Sequence, residues 1–142
     1  MSIVHGLLPD ARVLDLCAGS GALGLEALSR GAASCDFVEK APKSIAVIQA
    51  NLEALGGHAA ATIHRDDAVR FVSKLPAGSF DVAFADPPYD SEIGEGLVQR
   101  WIAVPFAHVF GIEHSSSLEM PAPGRTRRYG RTALTFYYSD DS

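Results

Sequence analysis

Three glycines, Gly19, Gly21 and Gly24, stand between the apolar run Arg12-Val13-Leu14-Asp15-Leu16-Cys17 and the helix-forming stretch that ends near Ser29. A strand that turns through a glycine-rich loop into a helix is the first half of a β-α-β unit. The helix must then cross back over a sheet to reach a parallel neighbour. Such a loop lets a ligand approach the backbone closely, and the helix N-terminus behind it favours polar or anionic groups. Taken alone, the spacing suits nicotinamide and flavin sites as well as others.

The chain repeats this rhythm. Gly31 closes the first helix, and Cys35-Asp36-Phe37-Val38-Glu39 reads as a second strand. Pro42 opens a helix at a position where its missing N–H costs nothing, and Ile45, Ile48, Leu52 and Leu55 share one face before Gly56-Gly57 ends it. Residues 60–63 form a weak third strand, 68–75 a short helix, 80–85 a fourth strand, 93–101 a helix with Leu97 and Trp101 on its core face, and 107–112 a fifth strand. Pro121 and Pro123 forbid a further helix, and 126–129 with 133–138 around Gly130 read as an antiparallel hairpin at the sheet edge. The expectation is a Rossmann-like α/β fold: a mostly parallel, doubly wound sheet with a C-terminal antiparallel hairpin, in one domain over 1–142.

Composition removes several classes. With 47% hydrophobic and 20% charged residues, the chain is neither hydrophobic enough to lie in a membrane nor polar enough to stay disordered. No apolar run reaches the length of a membrane span, and Met1-Ser2-Ile3-Val4-His5 lacks a basic segment followed by an apolar one, so a cytoplasmic protein without a membrane partner is expected. Cys17 and Cys35 lie in apolar, strand-like contexts without partners at metal-ligand spacing. They read as small buried hydrophobes, with neither disulfide nor metal. His5, His58, His64, His108 and His114 do not cluster and read as structural or exposed. A net charge of −5 argues against gripping nucleic acid by bulk electrostatics, although Arg125, Arg127, Arg128 and Arg131 form a local basic patch.

The chemistry concentrates at the ends of the strands. Asp86-Pro87-Pro88-Tyr89 follows the run Val82-Ala83-Phe84-Ala85 and supplies a carboxylate, a rigid backbone carbonyl and an aromatic ring. Transfer to an exocyclic base nitrogen needs those three parts: a hydrogen-bond acceptor, a fixed carbonyl and a stacking platform. Glu39 ends the second strand, where a carboxylate can accept both ribose hydroxyls, which indicates a nucleoside-containing cofactor. Asp15, inside an apolar run, would be desolvated unless it accepts from loop N–H groups or from a cofactor ammonium. Asp66-Asp67-Ala68 falls at the same edge, where one carboxylate either takes an adenine amino group or caps the next helix.

The sequence from Asp15 to Ala32, with Glu39-Lys40, Asn51-Leu52, Asp67-Ala68, Asp86-Pro87-Pro88-Tyr89 and Tyr129-Gly130-Arg131-Thr132, resembles the class I S-adenosylmethionine-dependent methyltransferases. Within them it resembles the RsmD family, which methylates N2 of a guanine in bacterial 16S ribosomal RNA. The resemblance implies that S-adenosylmethionine is the cofactor and S-adenosylhomocysteine the product. Gly19, Ser20 and Gly21 would face the methionine part, with Asp15 behind them. Glu39 would meet the ribose beside Lys40, and Asp67 with the Ala68 backbone the adenine. Asp86, Pro87 and Tyr89 would hold the target base, and Arg125, Arg127, Arg128 and Arg131 would meet RNA. The partner implied is 16S ribosomal RNA in the small subunit or its assembly intermediate, bound by a monomer. The family carries a phenylalanine where Cys17 stands, and a basic N-terminal segment that this sequence lacks. Weak autonomous RNA binding is therefore expected. Three other readings remain open: an adenine-N6 nucleic-acid methyltransferase, a dehydrogenase, and a cofactor-binding module without autonomous activity.

Overall fold

The computed structural model describes residues 6–56, 59–88 and 92–139. Its elements run β1 (Arg12–Leu16), α1 (Ala22–Ser29), β2 (Ser34–Glu39), α2 (Pro42–Ala54), β3 (Ala61–Arg65), α3 (Ala68–Val72), β4 (Phe80–Ala85), α4 (Ile93–Ala103), β5 (Ala107–Ser115), β6 (Arg125–Tyr129) and β7 (Thr132–Tyr138). They form one seven-stranded sheet of order β3-β2-β1-β4-β5-β7-β6. The first five strands of that order are parallel; β7 runs antiparallel to β5, and β6 antiparallel to β7. The expected doubly wound sheet with its edge hairpin is the fold.

Burial on both faces explains why β1 and β4 read as continuous apolar runs. Leu14, Leu16, Ala83, Phe110 and Ile112 pack on one face beneath Val72 of α3 and Leu97, Val98 and Trp101 of α4. Val13, Cys35, Phe37, Val82 and Phe84 pack on the other beneath Ala27 and Leu28 of α1 and Ile48 of α2. Trp101 satisfies its indole by donating Nε1–H to the Ala107 carbonyl at 2.9 Å. Among the described residues, no helix is long and apolar enough to cross a membrane.

The hairpin turns through Gly130-Arg131, with Tyr129 paired to Thr132 and Gly130 at φ 64°, as a two-residue turn requires. His114 fastens it to the sheet. Its Nδ1 lies 2.8 Å from the Ser115 carbonyl, which can only accept, so Nδ1 carries the hydrogen and Nε2 accepts from Thr135 Oγ1 at 2.6 Å. Thr135 therefore receives its own hydrogen bond from Thr126 Oγ1 at 2.7 Å, which ties β5, β7 and β6 together. His114 is thus structural, as expected of it; His5 and His58 lie outside the described residues.

Several boundaries differ from expectation, β3 running on to Arg65 and α4 to Ala103 among them. β1 ends at Leu16, because Cys17 adopts φ 56° and turns the chain out of the strand. Leu55 lies beyond the end of α2 and is 59% exposed, so the apolar stripe stops at Leu52. α3 ends at Val72, short of the expected residue 75. β5 runs on to Ser115, since β7 pairs with it as far as Thr132, and that long-range pairing leaves no periodic mark on β5 itself.

Candidate active site

β1 lies between β2 and β4, so the chain winds in opposite directions from the sheet centre, and a crevice opens at the carboxyl ends of these strands. A cavity of about 450 Å³ occupies it, lined by Cys17, Gly19, Val38, Glu39, Lys40, Asp66, Asp67, Ala68, Asp86, Pro87, Pro88 and Ile93. That volume lies within the usual range for small-molecule sites.

Each wall has a local cause. At Gly19 the backbone takes φ 57°, and a Cβ built there meets nothing within 4 Å, so the loop presents bare backbone to open space. Glu39 fixes this loop: its Oε1 accepts from Gly19 N at 2.9 Å, and its Oε2 from Lys40 N at 3.0 Å and Ala41 N at 2.9 Å. An ionised carboxylate offers about four lone-pair sites, which leaves room for a further hydroxyl. Asp67 caps α3, accepting from Arg70 N at 2.9 Å, and lines the cavity as well. The two roles weighed for this carboxylate are therefore compatible. Asp66 accepts from Asp67 N at 2.8 Å. Val38 and Ala68 supply apolar wall between these acids, a setting suited to a flat heterocycle flanked by a polar edge.

Asp15 stands behind the loop. It is 2% exposed, and its Oδ2 accepts from Gly24 N at 3.0 Å, the loop N–H expected of it. Burial dominates and pushes its carboxyl up to about 8; the Gly24 hydrogen bond opposes this, and the charges of Asp86 and Glu39 reinforce it. Gly21, at φ 79°, is the N-cap of α1 and packs close to Ile48 and Phe37. Ser20 is exposed, and its carbonyl accepts from Asn51 Nδ2 of α2 at 3.1 Å. Asp15, Ser20 and Gly21 are thus not cavity lining; they shape the loop that is. Cys17 corrects the buried-hydrophobe reading: it is only half-buried, it lines the cavity, and its thiol is pushed up to about 12, first by burial and then by the carboxylates around it. Cys35 is fully buried, as expected.

Asp86 and Pro88 are exposed at the rim and Pro87 is buried beneath them. Tyr89 lies outside the described residues. Pro87 and Pro88 also line a second cavity of about 380 Å³, shared with Glu92, Glu95, Ile112, Glu113 and Leu118 among others. Glu113 lines that second cavity and meets Asp86, which lines the first. A hydrogen bond to Asp86, then burial, then the Asp86 charge push the Glu113 carboxyl up to about 7. Sequence reasoning assigned Glu113 no role, because its neighbour comes from β4, 27 positions upstream in the chain. Val38, Ile93 and Pro88 were also missed as lining, since apolar residues at strand and helix ends carry no pattern of their own.

Arg125, Arg127 and Arg128 lie on β6 and Arg131 in the turn, all exposed. Arg125 stacks over the Tyr138 ring at 5.5 Å, and Arg128 Nε donates to the Ser116 carbonyl at 3.2 Å. Among the described residues, no group of three or more His, Cys, Asp or Glu could hold a metal ion.

A Rossmann-like sheet of this order, with a glycine loop and an acid ending β2, defines the methyltransferase type of nucleoside-binding fold. It superimposes on yhhF of Escherichia coli, described provisionally as a methyltransferase, with TM-score 0.83 and 26% identity over 96% of this chain and 80% of that one. The chain belongs to the family described as Conserved hypothetical protein 95, whose model matches residues 1–138. YlbH of Bacillus subtilis, named provisionally as an rRNA methyltransferase, is 35% identical over 138 residues, 89% of this chain and 74% of its own length. The ribosomal RNA small subunit methyltransferase D of Buchnera aphidicola from Acyrthosiphon pisum is 34% identical over 67% of this chain, which spans 47% of that protein. A Thermus thermophilus 16S rRNA N2 G1207 methyltransferase solved with AdoMet and guanosine shares the fold at TM-score 0.74 and 22% identity, over 92% of this chain and 38% of its own.

Proposed function

We propose that this chain is an RNA methyltransferase that transfers a methyl group from S-adenosylmethionine to the exocyclic N2 amine of a guanine in 16S ribosomal RNA. Its partner is the small ribosomal subunit or its assembly intermediate, and it acts as a monomer. The observation that carries this reading is the single crevice in which Gly19, Glu39, Asp67 and the Asp86-Pro87 rim converge. A nucleoside fits these residues: acids stand where ribose hydroxyls and an adenine amine would offer hydrogens, with apolar wall between them. When bound, S-adenosylmethionine supplies an electrophilic methyl group on a sulfonium.

The residues of the chain do the rest. The guanine N2 lone pair is delocalised into the ring, so the amine must be held with its hydrogens turned away and its lone pair freed in line with the methyl group. Asp86 and the Pro87 carbonyl accept hydrogen bonds from those two hydrogens. As the N–C bond forms and the methyl–sulfur bond breaks, the Asp86 carboxylate stabilises the positive charge on nitrogen and takes the proton that the methylated amine sheds. Tyr89 stacks on the extruded base. The direct test is the mass gain of one methyl group on a guanine of small-subunit RNA incubated with the protein and S-adenosylmethionine. Unmethylated RNA after incubation with a cofactor-saturated enzyme would refute the proposal.

Glu39→Ala is expected to lower S-adenosylmethionine affinity about tenfold or more, through lost hydrogen bonds worth roughly 1.5 to 3 kcal/mol. Calorimetry checks this, and equal affinity for both proteins would remove Glu39 from the site. The arginines of β6 and its turn form the RNA-docking face, because phosphate contacts from exposed guanidinium groups fix register without reading sequence. Replacing Arg125, Arg127, Arg128 and Arg131 together with glutamine should weaken RNA binding and flatten its salt dependence, with cofactor affinity unchanged. Titration at several salt concentrations reads this out, and an unaltered salt slope would move the docking face elsewhere.

A further inference from the structure

We infer that Glu113 is a positioning residue of the reaction centre: it holds a proton against the Asp86 carboxyl and thereby aims the Asp86 acceptor at the substrate amine. The inference rests on the function proposed above. Its geometric basis is strand register. β4 and β5 are parallel with Ala85 opposite Ile112, so the next residue of each chain, Asp86 and Glu113, emerges side by side at the carboxyl edge. The two carboxyls are close enough to hydrogen-bond to each other, an arrangement that needs a proton on one of them, since two ionised carboxylates have none to share.

The surroundings favour keeping that proton. Glu113 is half-buried in the cavity that shares Pro87 and Pro88 with the cofactor crevice. The other titratable groups of that cavity are Glu92 at the N-cap of α4, Glu95 in its first turn, His114 on β5 and Glu119 on the loop after β5, while Leu134 of β7 stands opposite Glu113. No lysine or arginine is among the described residues of that lining, and both ring nitrogens of His114 are already engaged with Ser115 and Thr135. Among the described residues nothing on that side compensates a second negative charge. On the other side Asp86 shares the cofactor crevice with Cys17, Glu39, Asp66, Asp67 and one cation, Lys40, and its charge also reaches the buried Asp15. The upward displacement of the Glu113 carboxyl to about 7 has the same origin and places the proton on Glu113. One Asp86 oxygen then accepts from Glu113, and the other is left, in a fixed orientation, for an amino hydrogen. Above neutral pH the proton is lost, the two carboxylates repel, and Asp86 swings away from the amine.

Infrared titration of the whole chain tests the pair without reference to catalysis. Wild type should show a carboxyl band that titrates near neutral pH, is absent from Glu113→Gln and moves to lower pH in Asp86→Asn. The buried Asp15 carboxyl gives a separate band that neither substitution removes. In the methyl-transfer assay, wild-type kcat should fall as pH rises above neutral. Glu113→Ala should lower kcat about tenfold or more at neutral pH, with cofactor Kd unchanged. Glu113→Gln, whose amide still donates to Asp86, should recover part of that loss and lack the alkaline fall. A wild-type spectrum with no neutral-range band lost in Glu113→Gln, or a Glu113→Gln pH profile matching wild type, would overturn the inference. Were wild type to methylate no ribosomal RNA, the proposed function would fail, and the infrared bands would still decide whether the carboxyl pair exists.

Discussion

Asp86→Ala is expected to lower the methyl-transfer rate by at least about a hundredfold, as loss of one preorganised polar partner does in other enzymes. The substitution removes the acceptor that faces the target amine and leaves Pro87 and Pro88 to hold the rim. Asp86 is exposed beyond the end of β4, so little packing is lost, and the thermal midpoint and S-adenosylmethionine affinity should stay close to wild type. Single-turnover kinetics with saturating cofactor and RNA isolate the chemical step. An unchanged rate would contradict amine activation by Asp86. Equal loss of cofactor affinity would instead assign this carboxylate to the cofactor.

Gly24→Ala is expected to have the largest effect on stability. A Cβ at this position would stand 2.7 Å from Cys35 Sγ and 2.8 Å from Phe37 Cζ, with Phe37 Cε1 closer still. Both neighbours are 0% exposed in the layer between α1 and the sheet, so neither can retreat into solvent. Overpacking of this kind costs about 1 to 3 kcal/mol or more, which exceeds the roughly 1 kcal/mol that alanine gains over glycine in a helix. The same displacement would pull Gly24 N from Asp15 and loosen the loop that carries Gly19. Urea denaturation should show a lower midpoint with an unchanged slope. A midpoint equal to wild type would mean that α1 can ride higher over β2 without loss.

Asp86 and Glu113 together show what a sequence reveals and what it hides. The alternation of apolar runs with helical stretches, punctuated by Gly31, Pro42 and the Gly130 turn, carries the parallel sheet and the hairpin, because local chemistry decides each of those elements. Glu39, Asp67 and Asp86 are legible as candidate residues of the crevice for a related reason: an acid at the end of an apolar strand is conspicuous, and the three strands end at one edge. The hydrogen bonds that Glu39 makes to Gly19, Lys40 and Ala41 were not legible, since a carboxylate's choice of partners depends on how the loop folds back. Nor was the left-handed turn at Cys17, which places a residue taken for strand core into the cavity wall. Glu113 was illegible for the most general reason. Its meaning lies in a neighbour on another strand, and only the register of β4 against β5 supplies that neighbour.

Among the described residues β3 and β6 are the two open margins of the sheet, each with one side that no neighbouring strand pairs. Such margins invite another chain to add a strand, and cationic side chains are a common way to prevent it. β6 carries Arg125, Arg127 and Arg128 within five residues, and β3 ends in Arg65. The guanidinium groups proposed for RNA docking would therefore also discourage pairing with a second copy, because like charges repel across two β6 margins, whereas a polyanion would be attracted. Charge on this margin would then serve recognition and solubility together, so that removing it for one purpose alters the other.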